Sequence, residues 1–124
     1  MSAKILIVDD EQFVRDLLEK VLRRRGHEVV SASDAGQALA ALESAEFDLL
    51  LTDVVMPGMD GFDLLRRVKS AYPDIKVIVL TGYARKQSIS DFLLYGADDY
   101  LSKPFQVHEL VAAVERVTGP PART

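Results

Sequence analysis

Five residues of this sequence that can do polar chemistry stand where short apolar runs stop. Asp9 and Asp10 follow Ile5-Leu6-Ile7-Val8, and Asp53 closes the run Leu49-Leu50-Leu51-Thr52. Thr81 follows Lys76-Val77-Ile78-Val79-Leu80, and Lys103 comes just after Asp99-Tyr100-Leu101 and before Pro104. Brought together, three carboxylates repel one another and need a cation. Hard oxygen donors with room for water suit magnesium. Lys103 offers a fixed positive charge that can pair with Asp53 or with phosphate oxygens. Thr81 offers a small hydroxyl able to donate to an anion, and Gly82 beside it leaves space. Taken singly, each acid is an ordinary loop residue or helix cap, which is how Asp60 and Asp74 are read. What separates Asp9, Asp10 and Asp53 from these is whether the fold makes them neighbours.

The elements around these residues supply that condition. Short apolar runs bounded by turn signals read as buried strands, here at Ile5–Val8, at the run into Asp53, and at Lys76–Leu80. Glu28–Ala32 is weaker and fits an edge, and Asp99–Leu101 is a short fifth strand. Between them lie helical patterns. Phe13, Val14, Leu17, Leu18, Val21 and Leu22 make one apolar stripe, with Glu11 in the first turn, Arg23-Arg24-Arg25 in the last and Gly26 as the stop. Ser33 or Asp34 caps a second helix carrying Ala38, Leu39 and Leu42. Asp60 caps a third, with Phe62, Leu65 and Val68 inward, and Tyr72-Pro73-Asp74 ends it. Ile89, Phe92 and Leu93 mark a fourth that stops at Gly96. Val107, Leu110, Val111, Val114 and Val117 define the last. Strands alternating with helices imply a parallel sheet covered on both faces. In such a sheet every strand ends on one edge, and right-handed crossovers put the switch point beside the first strand with the third next to it. Asp9, Asp10 and Asp53 then share a cleft.

Composition sets outer bounds. The chain has 124 residues, 48% hydrophobic and 27% charged, with a formal net charge of −4. That suits one globular domain, expected to span residues 1–118, with 119–124 a tail or the start of a linker. The acidic balance argues against a generic nucleic-acid or membrane surface. No apolar run approaches the roughly 20 residues of a membrane helix, and the opening apolar run is too short for a signal peptide. There is no cysteine, which excludes disulfides, thiolate metal sites and cysteine nucleophiles. A cytoplasmic location fits. His27 and His108 stand alone, without ligand spacing, and read as surface residues.

The motifs in order resemble one family. Asp9-Asp10, Asp53 with Met56-Pro57-Gly58-Met59-Asp60-Gly61, Thr81-Gly82, and Gly96-Ala97-Asp98-Asp99-Tyr100-Leu101-Ser102-Lys103-Pro104-Phe105 are similar to the receiver domain of two-component response regulators. The likeness runs from Lys4 to about Val117. It implies a flavodoxin-like fold with strand order 2-1-3-4-5. It implies that Asp53 accepts a phosphoryl group from a sensor histidine kinase or phosphotransfer protein in a magnesium-dependent reaction. Asp10, Asp53 and the backbone carbonyl of Val55 would ligate Mg2+, with Asp9 acting mainly through metal-bound water. Lys103 would contact the phosphoryl oxygens, Thr81 and Tyr100 would form the switch pair, and the Lys103–Pro104 bond would be cis. The output surface would be the fourth helix, fifth strand and fifth helix, acting on an output domain or target protein, with a phosphorylation-dependent homodimer among its possible states. On that surface Ile89, Phe92 and Val107 are expected in the core, Leu94 and Tyr95 on an exposed flank.

Such chemistry suits these residue types. A carboxylate can attack phosphorus, and phosphoryl transfer is mainly positioning and neutralisation of charge. Val55 carries no polar group to position an attacking water and Tyr83 is bulky, so slow self-dephosphorylation is expected. The domain would act on its own phosphoryl group only and is not an enzyme in the multiple-turnover sense. Three other readings compete. A magnesium-dependent aspartyl phosphatase of the haloacid-dehalogenase type usually has a second aspartate two residues after the first, where Val55 stands. A flavin-binding protein needs a donor-rich loop after the first strand, where Asp9-Asp10-Glu11 has the opposite charge. A phosphorylation-independent interaction module has no need of the complete set of acids, Thr81 and Lys103.

Overall fold

Runs of β-branched and leucine side chains form five strands, β1 (Lys4–Val8), β2 (Glu28–Ala32), β3 (Leu49–Asp53), β4 (Lys76–Thr81) and β5 (Asp99–Ser102). All pair in parallel into one sheet of order β2-β1-β3-β4-β5, as expected for the flavodoxin-like arrangement. The structure, a computed structural model, describes residues 3–53, 61–82 and 93–118. The expectations on Val55, Asp60, the Phe62 side chain, Tyr83, Ile89 and Phe92 fall outside them. Four helices are defined among the described residues, α1 (Gln12–Arg24), α2 (Ala35–Ser44), α3 (Gly61–Ala71) and α4 (Val107–Thr118); α4 is the last of the five that the sequence predicts.

Alternation along each strand sends side chains to opposite faces. Leu6, Val8, Leu50, Val77 and Val79 meet Ala38 and Leu42 of α2 and Leu64, Leu65 and Val68 of α3 in one buried layer. Ile5, Ile7, Leu49, Leu51, Ile78 and Leu80 meet Leu18 and Leu22 of α1 and Leu110, Ala113 and Val114 of α4 in the other. The central strands β1, β3 and β4 are therefore buried on both faces, and the ends of the strands are left for polar chemistry. β2 lies at one edge and β5 at the other.

Helix ends follow local chemistry. Asp34 caps α2, its Oδ1 accepting the Gln37 N–H at 2.8 Å. After α1, the Gly26 N–H donates to the Arg23 carbonyl at 3.0 Å and the His27 N–H to the Leu22 carbonyl at 3.2 Å. This doubly bonded stop needs a left-handed residue, and Gly26 has φ +90°.

Four expectations are corrected. Leu18 and Leu22 are buried, but Phe13 is 78% exposed and Leu17 is also exposed; the sheet takes up only part of a stripe that adjacent apolar pairs make wide. Glu11 is the residue before α1, with extended backbone, so the first turn holds no acid. Val107 opens α4 and is exposed, the burial falling on the later Leu110, Ala113 and Val114. His27 is half-buried, and its Nδ1 accepts the Ala3 N–H at 3.0 Å. Burial, with the nearby Arg25 charge, lowers the pKa of this imidazole. The predicted exposure of Leu94 and Tyr95 is observed.

Candidate functional site

The carboxyl ends of four parallel strands converge. β1 stops at Val8 and hands on to Asp9 and Asp10, β3 ends in Asp53, β4 ends in Thr81, and β5 leads into Lys103. β1 lies between β2 and β3, which makes the ends of β1 and β3 neighbours. Carboxylate oxygens of Asp9, Asp10 and Asp53 lie within 4.8 Å of one another. The three expected acids therefore form one cluster.

Their surroundings differ. Asp9 has no exposed surface. Its N–H donates to the Ala32 carbonyl at 3.2 Å, and its carbonyl accepts from Arg15 Nη1 at 2.7 Å. Its Oδ1 accepts the Glu11 N–H at 2.9 Å and its Oδ2 accepts from Lys103 Nζ at 2.7 Å. A carboxylate buried this deeply is tolerable only because it is paired and hydrogen-bonded. Asp53 is nearly buried and Asp10 is exposed.

Lys103 crosses the cleft. Besides Asp9, its Nζ donates to Asp53 Oδ2 at 3.0 Å. Sequence reasoning anticipated Asp53 or a phosphate as its partner and missed Asp9, because two strands, β3 and β4, separate β1 from β5. Only the reach of the lysine stem closes that gap. Burial alone disfavours the ammonium, but the hydrogen bonds and charges of Asp9 and Asp53 outweigh it and hold the Lys103 pKa above its ordinary value. The Lys103 N–H also donates to the Thr81 carbonyl at 2.7 Å. The Lys103–Pro104 peptide is cis, as the motif led one to expect.

Thr81 is buried at the end of β4, and the neighbouring Gly82 faces open space. Tyr100 is half-buried in β5, opposite Val79, and packs on the α2–α3 side of the core. Thr81 itself pairs with Ser102. Thr81 and Tyr100, expected from the sequence to act as a pair, thus sit on adjacent strands, two register positions apart. Arg15 on the Asp9 carbonyl is a site contact that sequence reasoning overlooked. Its only signal was a basic residue one turn into the helix after the acid pair.

Three carboxylates against one ammonium leave a formal charge of −2 in the cluster. Oxygen donors with that charge fit a divalent cation such as Mg2+. An exposed Asp10 beside a nearly buried Asp53 also gives such an ion a route in from solvent.

A parallel doubly wound sheet with acids, a hydroxyl and a lysine at the ends of its strands is a class of site suited to phosphoryl chemistry. Residues 5–115 match the response regulator receiver domain, and the chain belongs to that family. Over 116 residues it is 39% identical to the response regulator protein FleR of Pseudomonas aeruginosa, covering 94% of this chain and 24% of that protein. It thus spans about a quarter of that relative's length. It is 37% identical to sporulation initiation phosphotransferase F of Bacillus subtilis, covering 94% of each. Among solved structures it superposes on the chemotaxis protein CheY4 of Vibrio cholerae with a TM-score of 0.89 at 34% identity, over 94% of this chain and 99% of that one. Receiver domains carry phosphorylation-based signals and bind Mg2+ at an acidic pocket. No helix among the described residues is long and apolar enough to cross a membrane.

Proposed function

We propose that the chain is a switch that takes a phosphoryl group on Asp53 from a phosphohistidine of a sensor kinase or phosphotransfer protein, in a Mg2+-dependent reaction. One observation carries this reading: Lys103 bridges Asp9 and Asp53 at the sheet edge, in a cluster that fits a divalent cation. Asp10, Asp53 and the carbonyl of Val55 would hold the ion, and Asp9 would reach it through water. Bound there, Mg2+ would neutralise charge on the transferring phosphoryl oxygens.

The chain's own residues would do the rest. A carboxylate oxygen of Asp53 forms the new O–P bond as the donor's P–N bond breaks, the electron pair leaving with the imidazole nitrogen. Lys103 exchanges a carboxylate partner for a phosphoryl oxygen and needs little reorganisation to do so. The new group brings about −1.5 to −2 charge and strong acceptor oxygens. The Thr81 hydroxyl donates to one of these, and Tyr100 follows into the space behind it. The changed surface, built from the segment before β5, β5 itself and α4, then acts on an output domain or target protein. Exposed Leu93, Leu94, Tyr95 and Val107 give that surface its apolar character. A phosphorylation-dependent homodimer is one form the readout can take; nucleic acid is not contacted directly. Residues 1–118 form the receiver unit, with 119–124 a tail or linker, and the setting is the cytoplasm.

Incubation with a small phosphodonor tests this. Label should enter the wild type only with Mg2+ present and should not enter Asp53→Ala. Label that persists in the variant removes Asp53 as acceptor. Release of free phosphate over many turnovers from small esters would favour a phosphatase instead.

A further inference from the structure

The turn between β1 and α1 uses a basic side chain that the phosphoacceptor reading leaves without a role. Arg15 lies one turn into α1, where its N–H donates to the Glu11 carbonyl at 3.1 Å. Its guanidinium Nη1 reaches back six residues to the carbonyl of Asp9 at 2.7 Å. That oxygen belongs to the peptide group joining Asp9 to Asp10. A peptide group is planar, so holding its oxygen fixes the plane, and with it the direction in which Asp10 leaves the turn. Among the described residues, the other bonds of the turn end on Asp9: its N–H donates to the Ala32 carbonyl, and its carboxylate accepts from the Glu11 N–H and from Lys103 Nζ. These anchor Asp9 and leave the outer end of the Asp9–Asp10 peptide to Arg15. Asp10 is the exposed member of the cluster, and so the acid least constrained by packing.

We propose that Arg15 is a positioning residue, orienting the Asp9–Asp10 peptide so that the Asp10 carboxylate is presented, with Asp53, to a divalent cation. The inference rests on the metal reading given above. Coulomb repulsion alone predicts the reverse effect, since a guanidinium close to a cation site should weaken binding. A charged donor on a carbonyl is a strong, directional bond, and groups that orient metal ligands typically change affinity by about 10–100-fold when removed. Orientation therefore outweighs repulsion here.

Calorimetric titration of the whole chain with Mg2+, alongside thermal unfolding of the metal-free protein, tests this. Arg15→Met and, as a second truncation, Arg15→Gln should each bind Mg2+ about tenfold more weakly. Arg15→Lys, which keeps a donor and the charge, should recover most of the affinity. Asp10→Asn serves as the control and should abolish binding. Affinity within twofold of wild type in both truncations, or tighter binding, overturns the inference while leaving the metal reading intact. A lowered melting temperature with unchanged Mg2+ affinity also overturns it, since that is the mark of a merely structural contact. If wild type and Asp10→Asn respond alike to Mg2+, the metal reading itself fails and the inference falls with it.

Discussion

Replacing Lys103 by methionine removes the ammonium while keeping most of the stem's volume. The lost group stands 2.7 Å from Asp9 and 3.0 Å from Asp53. The Asp9 side chain has no exposed surface and that of Asp53 is 9% exposed. Removing one partner of a buried ion pair costs about 3–5 kcal/mol. Two features reduce this. Asp9 Oδ1 keeps its bond from the Glu11 N–H, and the Lys103 side chain is itself 19% exposed, so water reaches one side of the cluster. The expected loss in metal-free buffer at neutral pH is therefore about 2–3 kcal/mol, or about 10 °C in melting temperature for a domain of this size. Thermal unfolding followed by circular dichroism, with a chelator present, measures it. Because the Lys103 pKa is raised in the folded protein, its stabilisation is fully present below the unfolded value near 10.5 and is lost as pH rises through the folded value. The gap between wild type and variant should stay constant from about pH 7 to 10 and narrow above that. Mg2+ should raise the melting temperature of Lys103→Met more than that of wild type, because it replaces the missing charge. A variant melting within about 1 °C of wild type in metal-free buffer would refute the view that Lys103 compensates the buried acids.

Other perturbations separate the elements of the site from those of the fold. Phe13→Ala removes an exposed ring three residues from Asp10; stability should change by less than about 0.5 kcal/mol, and phosphoryl transfer from a protein donor should slow while transfer from a small phosphodonor does not. Equal slowing with both donors would exclude a docking role for this ring. Gly96→Ala forces a side chain onto φ +106°, with its Cβ 3.0 Å from Lys69 Cγ; a loss of about 1–3 kcal/mol is expected in urea unfolding. His27 has a lowered pKa and accepts the Ala3 N–H, so its contribution is present above about pH 6.5 and is lost as pH falls through the folded value. His27→Gln should therefore flatten the acid side of the stability profile, by about 1 kcal/mol at most. Val55→Asn should shorten the phosphoryl half-life on Asp53 by placing a polar group for water; an unchanged or longer half-life removes that explanation.

Much of this molecule is legible in its sequence because parallel strands buried on both faces must be apolar throughout. Leu49–Asp53 and Lys76–Thr81 stand out as unbroken runs, and the polar residue that ends each run lands on one edge. What periodicity could not settle was how much of a helix the sheet accepts. α1 carries an apolar pair every four residues, yet only Leu18 and Leu22 are fully buried, and Phe13 turns outward. The same limit hid the partner of Lys103. Spacing places it on the edge with the acids, but only the three-dimensional path of the stem carries it across two strands to Asp9. Arg15 was less visible still, since a side chain that holds a backbone carbonyl leaves no pattern of residue types.

The backbone between β4 and β5 constrains how a signal can leave the site. Thr81 pairs with Ser102, and the Lys103 N–H bonds the Thr81 carbonyl at 2.7 Å. The two residues proposed to meet the phosphoryl oxygens are therefore tied main chain to main chain. Neither can move as backbone without breaking the ladder at its end, and an unpaired buried amide or carbonyl costs about 1–3 kcal/mol. Response at Thr81 has to come from its side chain, and relay has to pass through groups that can turn without disturbing the pairs. Tyr100 meets that condition: its main chain is fixed opposite Val79, while its half-buried ring lies at the margin of the core. Moving such a two-state element from 1:99 to 99:1 takes about 5.5 kcal/mol. Charge-assisted hydrogen bonds contribute about 1.5–3 kcal/mol each, so Thr81 and Lys103 acting together can approach that figure and neither can alone. Lys103 already has Asp9 and Asp53 as partners before phosphorylation, so its gain is only the difference between carboxylate and phosphoryl contacts. Thr81→Ala removes one of these two contributions and is the variant expected to accept phosphate at Asp53 yet fail to change the β5–α4 surface. Amide exchange across residues 93–107, compared with and without phosphodonor, measures that separation. A full exchange response in Thr81→Ala would shift the burden back to Lys103.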